Sequence, residues 1–358
     1  MTKLNVAFIG GGRITDLHAL GYKNNPKARI YAVCDAREEV AQSRAREWEA
    51  DVHYTDYHQL LADPKVDLVE IITPHHLHAA MSVDALEAGK HVSVQKPMCM
   101  NISEADRMVT AADRSDRLFR VMENFRFYAP YIRAKEILER GEIGEIRSLR
   151  MKNISGNRDY GWDVPDSSWE WRFNPELGGG TPAVFDHGYH MFSIAMYLAG
   201  PAKNVYSWIN SVNAQTGGSN DSQAMIMWRF QDSPGIGSYE VVRAEDMAVR
   251  AKYYASDEWI EITGSEGVIW VNGCSSSFLG VPPVTVYKGG RLTHHTDMET
   301  DWADSFINGT HDLVEAVQSG RPSQLTGDEG REVLRFALAA IRSAELGQEV
   351  DIASVQAT

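Results

Sequence analysis

A chain of 358 residues with 43% hydrophobic and 23% charged residues is typical of a globular protein large enough for two domains. Its net charge of −14 argues against nucleic acid or an anionic membrane as the main partner. The three cysteines show neither metal-pair spacing nor a disulfide framework. No stretch is apolar enough to span a membrane. The first predicted strand follows the N-terminal methionine too closely for a signal peptide. We therefore expect a cytoplasmic protein.

The first part of the chain alternates between short apolar runs and helix-like segments. The apolar runs predict strands at Val6–Ile9, Ile30–Cys34, Leu68–Ile72, His91–Val94 and Leu118–Met122. The segments between them predict helices at Ile14–Asn24, Arg37–Glu49, His78–Ala88 and Ile102–Ser115. This alternation predicts an α/β domain over residues 1–123, a doubly wound parallel sheet of the Rossmann type that binds ligands at the carboxyl ends of its strands.

The pattern changes after residue 123, where strand-like segments follow one another with glycine and proline turns between them. We predict strands at Ile146–Lys152, Lys203–Asn210, Ala224–Phe230, Gly237–Val242, Trp259–Thr263, Gly267–Val271 and Thr285–Lys288. Helices are predicted at Pro130–Arg140, Ala183–Leu198, Trp302–Ser319 and Asp328–Leu346. Residues 124–358 are thus expected to form an α+β domain for substrate binding and oligomerisation, with a large open, mostly antiparallel sheet. The C-terminal helix is expected to pack either within this domain or back on the first domain.

A glycine turn follows the first predicted strand, and a lone acid ends the second. Such a turn lets backbone N–H groups approach a phosphate at a helix N-terminus. Asp35 can accept hydrogen bonds from a ribose diol and repels a 2′-phosphate, so NAD is favoured over NADP although Arg37 lies nearby. Thr15 occupies the usual place of a third small residue, which serves packing rather than phosphate contact. The predicted cofactor contacts here are Gly10, Gly12, Arg13, Ile14 and Asp35.

Three histidines stand between residues 73 and 78, directly after a predicted strand. Two neighbouring histidines diverge in most backbones, and no acid or cysteine completes a ligand set, so we expect no metal here. A loop that lines the nicotinamide pocket is the favoured interpretation. Its predicted cofactor contacts are Thr73, Pro74, His75 and His78.

Gln95 and Lys96 end the next predicted strand, just before a proline. A lysine at the carboxyl end of a parallel strand is well placed to reach a hydroxyl of a ligand. The alternative is a solvated lysine before a turn. Asn124, after the last predicted strand of the first domain, completes the predicted cofactor contacts together with Gln95 and Lys96.

Asp186 and His190 follow a run of three glycines and stand four residues apart. A helix would place both on one face, where the carboxylate could orient a histidine that acts as a general base. A buried structural Asp–His pair is the alternative. His187 lies beside them, but a second acid at metal-binding spacing is absent, so a metal site is disfavoured here as well.

Aromatic and arginine side chains crowd the segment before this cluster. Aromatic faces pack against the C–H faces of sugars, and arginine binds oxyanions bidentately. The tryptophans of this segment, which include Trp169, fit a place in the hydrophobic core or in a subunit interface equally well. The predicted substrate contacts are Lys96, Arg126, Tyr128, Arg158, Trp162, Arg172, Asp186, His187 and His190.

Several of these motifs together resemble the Gfo/Idh/MocA oxidoreductases. The resemblance lies in the glycine turn with Asp35, the Thr73–Pro74 pair, the Glu-Ala-Gly-Lys-His run at 87–91, the Lys96–Pro97 pair, and the glycine run that leads to Asp186 and His190. It extends over nearly the whole chain. It implies a Rossmann domain joined to an open antiparallel sheet that builds homodimers or homotetramers.

The resemblance also implies NAD(P)-dependent oxidation of a secondary hydroxyl on a sugar, a sugar derivative, an inositol or a related polyol. By the same resemblance, Lys96 polarises the reacting oxygen, Asp186 and His190 form the acid–histidine pair, and the Lys96–Pro97 peptide bond is cis.

The chain departs from the family pattern at Gln95, where glutamate is usual, at His75, where asparagine is common, and at Ser193, where an acid often follows the histidine. These departures leave the substrate class open. One alternative is a glycoside hydrolase that oxidises a sugar transiently, eliminates an aglycone and re-reduces the product on bound NAD, with Tyr128, Tyr160 or His187 as the extra acid. A non-catalytic regulator that senses NAD and a sugar is another.

Overall fold

The computed structural model describes residues 3–165, 168, 170–213, 219–276 and 279–356. They fall into two compact units. The first contains the chain up to Asn124 together with Phe306–Leu334, and the second contains Phe125–Ser305 together with Arg335–Gln356. Among the described residues, no helix is long and apolar enough to cross a membrane.

A six-stranded parallel sheet forms the centre of the first unit, with the strand order β3-β2-β1-β4-β5-β6. Its strands are β1 (Leu4–Ile9), β2 (Ala28–Cys34), β3 (Val52–Tyr54), β4 (Leu68–Ile71), β5 (His91–Gln95) and β6 (Phe119–Met122). The predicted parallel sheet is confirmed, and β3 is a strand that the sequence did not reveal.

The second sheet has nine strands in the order β14-β13-β12-β11-β7-β10-β9-β8-β15. These strands are β7 (Ile146–Ser155), β8 (Ala202–Asn213), β9 (Ser219–Phe230), β10 (Ile236–Arg243), β11 (Ser256–Gly264), β12 (Gly267–Asn272), β13 (Val284–Lys288), β14 (Arg291–His295) and β15 (Val350–Asp351). Every pair is antiparallel except β7 with β10. The predicted large, mostly antiparallel sheet is therefore confirmed.

The helices agree with prediction in most places. They are α1 (Thr15–Leu20), α2 (Glu38–Glu47), α3 (Tyr57–Ala62), α4 (His78–Glu87), α5 (Ile102–Arg114), α6 (Ala129–Glu139), α7 (Glu170–Phe173), α8 (Pro175–Gly178), α9 (Gly188–Ala199), α10 (Trp302–Ser319) and α11 (Gly327–Leu346). Helix α1 is shorter than predicted because the chain turns after it, and Asn24 adopts a left-handed conformation with φ of 59°.

The predicted helix Ala183–Leu198 is wrong in its first part. Residues Pro182–His187 form a π-helical turn, and the α-helix begins only at Gly188. Asp186 therefore lies in the wider π turn and His190 in α9, so the argument from regular α-helical spacing does not hold for this pair.

The core of the first unit shows why its apolar runs become buried strands. Val6, Phe8 and Leu68 of β1 and β4 pack in one cluster with Leu313 and Val314 of α10. Strands β2 and β4 lie on opposite sides of β1, so the direction of winding reverses there. In sheets of this type the crevice at such a reversal, beside the carboxyl ends of the strands, is the usual ligand site.

Candidate functional site: a dinucleotide turn, a lysine strand end and a histidine cluster

The glycine turn after β1 has the shape that a phosphate needs. Gly10 has a φ of 105°, and a Cβ atom there would lie 2.1 Å from the carbonyl oxygen of Ile72, so only glycine fits. A Cβ on Gly12 would meet no atom within 4 Å. Internal packing therefore does not demand glycine at position 12, whereas a phosphate lying against the backbone does.

Asp35 lies directly beside this turn. Its Oδ2 accepts a hydrogen bond from the Gly11 N–H at 3.0 Å, and its Oδ1 accepts one from the Arg37 N–H at 3.0 Å. The side chain is 12% exposed, so part of the carboxylate is open to a ligand. This is the position that suits a ribose diol next to a bound pyrophosphate.

Thr15 stabilises the glycine turn, because its buried hydroxyl donates to the carbonyl oxygen of Gly10 at 3.1 Å. Ile14 immediately precedes α1, and Arg13 is half exposed and pairs with Asp16 at 3.2 Å. Threonine at position 15 thus keeps the turn closed through a hydrogen bond.

Removing the charge of Asp35 should change the choice of cofactor. In Asp35→Ser the repulsion of a 2′-phosphate is lost, while the exposed guanidinium of Arg37 stays close by. We expect kcat/KM for NADP relative to NAD to rise at least about tenfold, which corresponds to roughly 1.4 kcal/mol. Initial rates with each cofactor measure this ratio. Glu39→Ser, at an exposed acid in α2, is the control and should leave the ratio unchanged.

Histidine 78 ties together the two loops that follow β4 and β5. Its ring is fully buried, with Nδ1 2.8 Å from the Pro97 carbonyl oxygen and Nε2 2.9 Å from the Thr73 carbonyl oxygen. Pro74 and the buried His75 lie in the loop that it holds. Within the described ranges, no group of three or more His, Cys, Asp or Glu side chains could hold a metal ion.

Lys96 stands at the end of β5, partly exposed, and its peptide bond to Pro97 is cis. Its backbone N–H donates to Oε1 of Gln95 at 2.8 Å. This contact fixes the amide of Gln95, so that its NH2 group faces Nε2 of His18 at 3.1 Å. Asn124, buried, begins a 3-10 turn after β6.

A buried charged network lies behind Gln95. The other ring nitrogen of His18, Nδ1, is 2.7 Å from Oε2 of Glu70, whose Oε1 accepts from the Tyr22 hydroxyl. Since Gln95 presents a donor, His18 Nε2 must accept and Nδ1 must donate to Glu70. Burial acts to raise the pKa of Glu70, but its interactions with His18, Arg120 and Tyr22 outweigh burial and hold the pKa below its ordinary value.

In the second unit, Asp186 is bound by an arginine. Oδ2 of Asp186 accepts from Nε of Arg172 at 2.9 Å, and the Arg172 guanidinium lies over the Trp171 ring at 4.3 Å. Arg172 was predicted to contact substrate, and here it holds the Asp186 carboxylate in place. Nearby, Asp221 accepts from two backbone N–H groups of the π turn.

His190 is buried in α9 and stacks on Phe125, with ring centroids 4.1 Å apart and the planes within 7°. Ser193, one turn later, accepts from Nε of Arg126 at 3.0 Å. The serine that replaces an acid thus positions Arg126, whose guanidinium also lies over the Tyr197 ring.

The other predicted substrate contacts occupy different surroundings. Trp162 meets the ring of Tyr253 edge to face at 5.1 Å, whereas Arg158 is exposed in a short 3-10 turn. Tyr128 is buried, its hydroxyl donates to the Thr300 carbonyl oxygen at 3.4 Å, and burial raises its pKa well above the ordinary value. Trp169 lies outside the described residues.

His187 completes this cluster and has a partner that the sequence did not suggest. Its Nε2 lies 3.0 Å from Oε1 of Glu258, a fully buried residue of β11. The sequence signal was the acidic pair Asp257-Glu258 directly before the predicted strand Trp259–Thr263. In the same way, Glu70 was a lone acid in an otherwise apolar strand.

Two family descriptions match the chain. "Oxidoreductase family, NAD-binding Rossmann fold" covers residues 4–123, and "GFO/IDH/MocA C-terminal domain" covers residues 131–270. The chain belongs to the Gfo/Idh/MocA oxidoreductase family. The predicted family and fold class are confirmed, and so are NAD as the cofactor and the assignment as an NAD-dependent oxidoreductase.

Relatives of this Gfo/Idh/MocA protein match it over their full length. It is 31% identical to the D-glucoside 3-dehydrogenase of Escherichia coli, over 98% of this chain and 97% of the relative. It is 26% identical to the myo-inositol 2-dehydrogenase of Thermotoga maritima, over 98% and 99%. Among solved structures, a levoglucosan dehydrogenase in complex with NADH and levoglucosan superposes with a TM-score of 0.84 at 25% identity, over 98% of this chain and 100% of that one.

Proposed function

We propose that this protein is a dehydrogenase that oxidises a secondary hydroxyl of a sugar, a sugar derivative or an inositol with NAD. The observation that carries this proposal is its full-length similarity to relatives named as dehydrogenases of a glucoside, an inositol and levoglucosan. The presence of Lys96, Asp186 and His190 supports an enzyme rather than a regulator, because each is a group that acid–base chemistry needs.

The glycine turn and Asp35 are suited to hold the cofactor, with the loops at Thr73 and Lys96 beside it. Bound NAD supplies the acceptor for the hydride that leaves the reacting carbon. His190 takes the hydroxyl proton, and Asp186, itself held by Arg172, offsets the positive charge that then forms on the imidazole. Lys96 stabilises the negative charge that develops on the reacting oxygen.

Absorbance at 340 nm tests this function directly. The enzyme is incubated with NAD and, in separate reactions, with levoglucosan, methyl β-D-glucopyranoside and myo-inositol, and NADH formation is expected with at least one of them. A parallel reaction with 4-nitrophenyl β-D-glucopyranoside follows release of the aglycone. Aglycone release without NADH would favour the hydrolase alternative, and a lack of turnover in every reaction would contradict a dehydrogenase of sugars and inositols.

Two further expectations belong to this proposal. The first domain, residues 1–123, binds the cofactor, and residues 124–358, apart from the segment Phe306–Leu334 that belongs to the first unit, bind the substrate and form the oligomer interface. The protein acts in the cytoplasm, in keeping with three buried cysteines, none of which forms a disulfide within the part of the chain that the structure describes.

The proposed oligomer is a homodimer or homotetramer that forms through the open face of the large sheet. Tyr206 and Trp208 of β8 stand opposite Met227 and Met225 of β9 in register, and Trp208 is 54% exposed. Oppositely charged side chains continue the same face, with Lys152 3.1 Å from Glu240. A face that combines an apolar patch with both signs of charge suits a second copy of itself.

A charge in this patch should therefore break the oligomer. Trp208→Glu is expected to reduce the molar mass in solution to that of the monomer, because a carboxylate would be desolvated against its symmetry mate. Size-exclusion chromatography with light scattering measures the mass. Leu346→Glu, at a residue 50% exposed at the end of α11, is the control and should leave the mass unchanged. An unchanged mass in Trp208→Glu would place the interface elsewhere or exclude the oligomer.

A further inference from the structure

The π turn Pro182–His187 begins with backbone N–H groups that are paired from outside the turn. Asp221 of β9 accepts from two of them: its Oδ1 from the Ala183 N–H at 2.8 Å, and its Oδ2 from the Val184 N–H at 2.6 Å. The first turn of a helix leaves such groups without internal acceptors, and a nearby side chain commonly caps them. Here the cap comes from a strand 37 and 38 residues further along the chain, so it is a tertiary contact.

A β-bulge lies beside Asp221. This residue pairs with Ser211 of β8, whereas Gln223 pairs with Asn210, so β9 has one extra residue between the two pairs. A bulge of this kind changes the direction of the neighbouring side chains and is common next to active sites. Asp221 is 2% exposed, so its carboxylate acts on the turn and not on solvent.

Both carboxylate oxygens of Asp221 accept from the turn, so the ionised form suits this position best. A carboxylate only accepts hydrogen bonds, whereas a protonated carboxyl group carries one O–H donor and an amide carries an NH2 group. Either neutral group would direct a donor at one of the two N–H groups. The start of the turn would then lose one of its two contacts.

The ionised form of Asp221 is nevertheless costly to bury. Burial raises the pKa of Asp221 to about 6, although the hydrogen bonds from the Ala183 and Val184 N–H groups act to lower it. Since this folded pKa is above the unfolded value of about 3.9, ionisation of Asp221 makes the folded state less stable as the pH rises through this range. At neutral pH the fold therefore keeps a buried charge that lowers its stability, and what this charge provides is a turn held by two contacts.

The charged and titratable groups around Asp221 lie on the turn and on β10. Asp186 of the turn is a negative neighbour that also raises the pKa of Asp221. His187 of the same turn lies 3.0 Å from Oε1 of Glu258. The Tyr239 hydroxyl of β10 stays protonated, because burial and the charges of Glu258 and Asp221 raise its pKa. A negative neighbour favours the protonated form of Asp221, which makes its contact with the turn sensitive to mild acid.

Asp186 lies inside the turn that these contacts hold. The Gly188 N–H donates to the carbonyl oxygen of Ala183, five residues earlier, which gives the turn its π width. Helix α9, which carries His190, begins at Gly188. The place of Asp186 relative to His190 therefore depends on where the turn begins, and small displacements of catalytic groups have large effects on rate.

We propose that Asp221 is a positioning residue of the dehydrogenase: as a carboxylate it holds the π turn in the conformation on which the contribution of Asp186 depends, and on protonation it releases the turn. This inference rests on the proposed function, in which Asp186 offsets the charge that forms on His190. Asp221 acts through the backbone of the turn. The enzyme would thus lose activity in mild acid through a residue outside its catalytic groups.

The test compares the native enzyme with Asp221→Asn, which has the same shape but one accepting oxygen. NADH formation is followed at 340 nm from about pH 5 to about pH 8, with NAD and levoglucosan, methyl β-D-glucopyranoside or myo-inositol. The quantity of interest is the ratio of the native kcat to the kcat of the variant at each pH. This ratio cancels the titration of His190, which both enzymes share. Asp232→Asn, at an exposed acid just after β9, is the control.

Above about pH 7 we expect the native kcat to exceed that of Asp221→Asn by about 10- to 100-fold, the scale of a misplaced catalytic group. As the pH falls through about 6 the ratio should fall toward one, because the protonated carboxyl group and the amide offer the turn the same donor and acceptor. Asp232→Asn should match the native enzyme at every pH. A cap with only a structural role would change the melting temperature of Asp221→Asn and leave the kcat ratio near one.

Hydrogen exchange on the native enzyme tests the same contact without a variant. Protection factors, which correct for the intrinsic effect of pH on exchange, are measured by mass spectrometry for a peptide that spans Pro182–His187 and for the control strand β7. Below pH 6 the protection of the turn should fall by at least about fivefold, while that of β7 stays constant. If Asp221→Asn does not fold, this measurement decides.

Each outcome separates the two proposals. NADH formation with a kcat ratio near one at every pH overturns the positioning role and leaves the dehydrogenase standing. A large ratio that does not change with pH, or protection of the turn that does not change across pH 6, overturns the release on protonation. A native enzyme that forms no NADH with any of the three probes overturns both proposals.

Discussion

Replacing Lys96 by alanine is expected to lower kcat by about 100- to 1,000-fold, the usual loss when one group that stabilises an oxyanion is removed. The side chain carries the charge that meets the reacting oxygen in the proposed chemistry. The turn itself should survive, because the backbone N–H of Lys96, which donates to Gln95, is kept in the variant. NAD should therefore still bind, which titration calorimetry measures beside the steady-state rates.

Lys23→Ala is the matched control for this variant, since Lys23 is an exposed lysine of the same unit. It should keep the native kcat. If Lys96→Ala retained the native rate as well, the catalytic role of Lys96 would be wrong, and a regulator that senses NAD and a sugar would become the better interpretation.

Strands that are buried on both faces could be predicted, and exposed ones could not. The apolar runs of β1, β4 and β5 are visible in the sequence because helices cover both sides of a parallel sheet. Strand β3 has three residues, none of them buried, and β14 reads Arg-Leu-Thr-His-His with four of five residues exposed. Neither has an apolar run, so only its neighbours in the sheet define it.

The candidate site divides in the same way. Gly10, Asp35 and Lys96 could be predicted because each belongs to a short motif at a strand end, where chain order alone places the group. Glu70 and Glu258 could not, because their partners are far away in the chain; His18 is 52 residues from Glu70. Such pairs are formed by the packing of separate elements, which no local pattern records.

The His18–Glu70 pair also explains the unusual Gln95. The family pattern has a glutamate at that position, and here a buried carboxylate lies on the other side of the His18 ring instead. A neutral imidazole donates a hydrogen bond from one ring nitrogen and accepts one at the other. Here Nδ1 of His18 donates to Glu70, and Nε2 accepts from Gln95. In this chain the carboxylate therefore lies at position 70 rather than position 95, on the opposite side of the His18 ring. The side chain at position 95 keeps its contact with the Lys96 backbone.

Breaking this network should be among the most destabilising single changes in the chain. Glu70→Ala leaves His18, Tyr22 and the fully buried Arg120 without their shared carboxylate, and we expect the free energy of unfolding to fall by about 3–5 kcal/mol. Urea denaturation followed by fluorescence measures the loss. Glu39→Ala, at an exposed acid of α2, should change it by less than about 0.5 kcal/mol.

The contribution of Glu70 to the free energy of unfolding depends on pH in a definite direction. The folded pKa of Glu70 is below its unfolded value of about 4.3, so its contribution is complete above that pH and is lost as the pH falls through the folded pKa. The difference in stability between native protein and Glu70→Ala should therefore be constant near neutrality and shrink in acid. A difference that grew on acidification would contradict a charged, stabilising Glu70.

A double substitution tests directly whether a carboxylate at position 95 can replace the carboxylate at position 70. Glu70→Gln alone should destabilise the protein, since an amide replaces the carboxylate that faces His18. Adding Gln95→Glu supplies a carboxylate at Nε2, so the imidazole can reverse its tautomer, donating to position 95 and accepting from the amide at position 70. We expect the second change to recover at least half of the stability lost in the first, a coupling that a double-mutant cycle isolates. Additive losses would mean that the two positions do not communicate through His18.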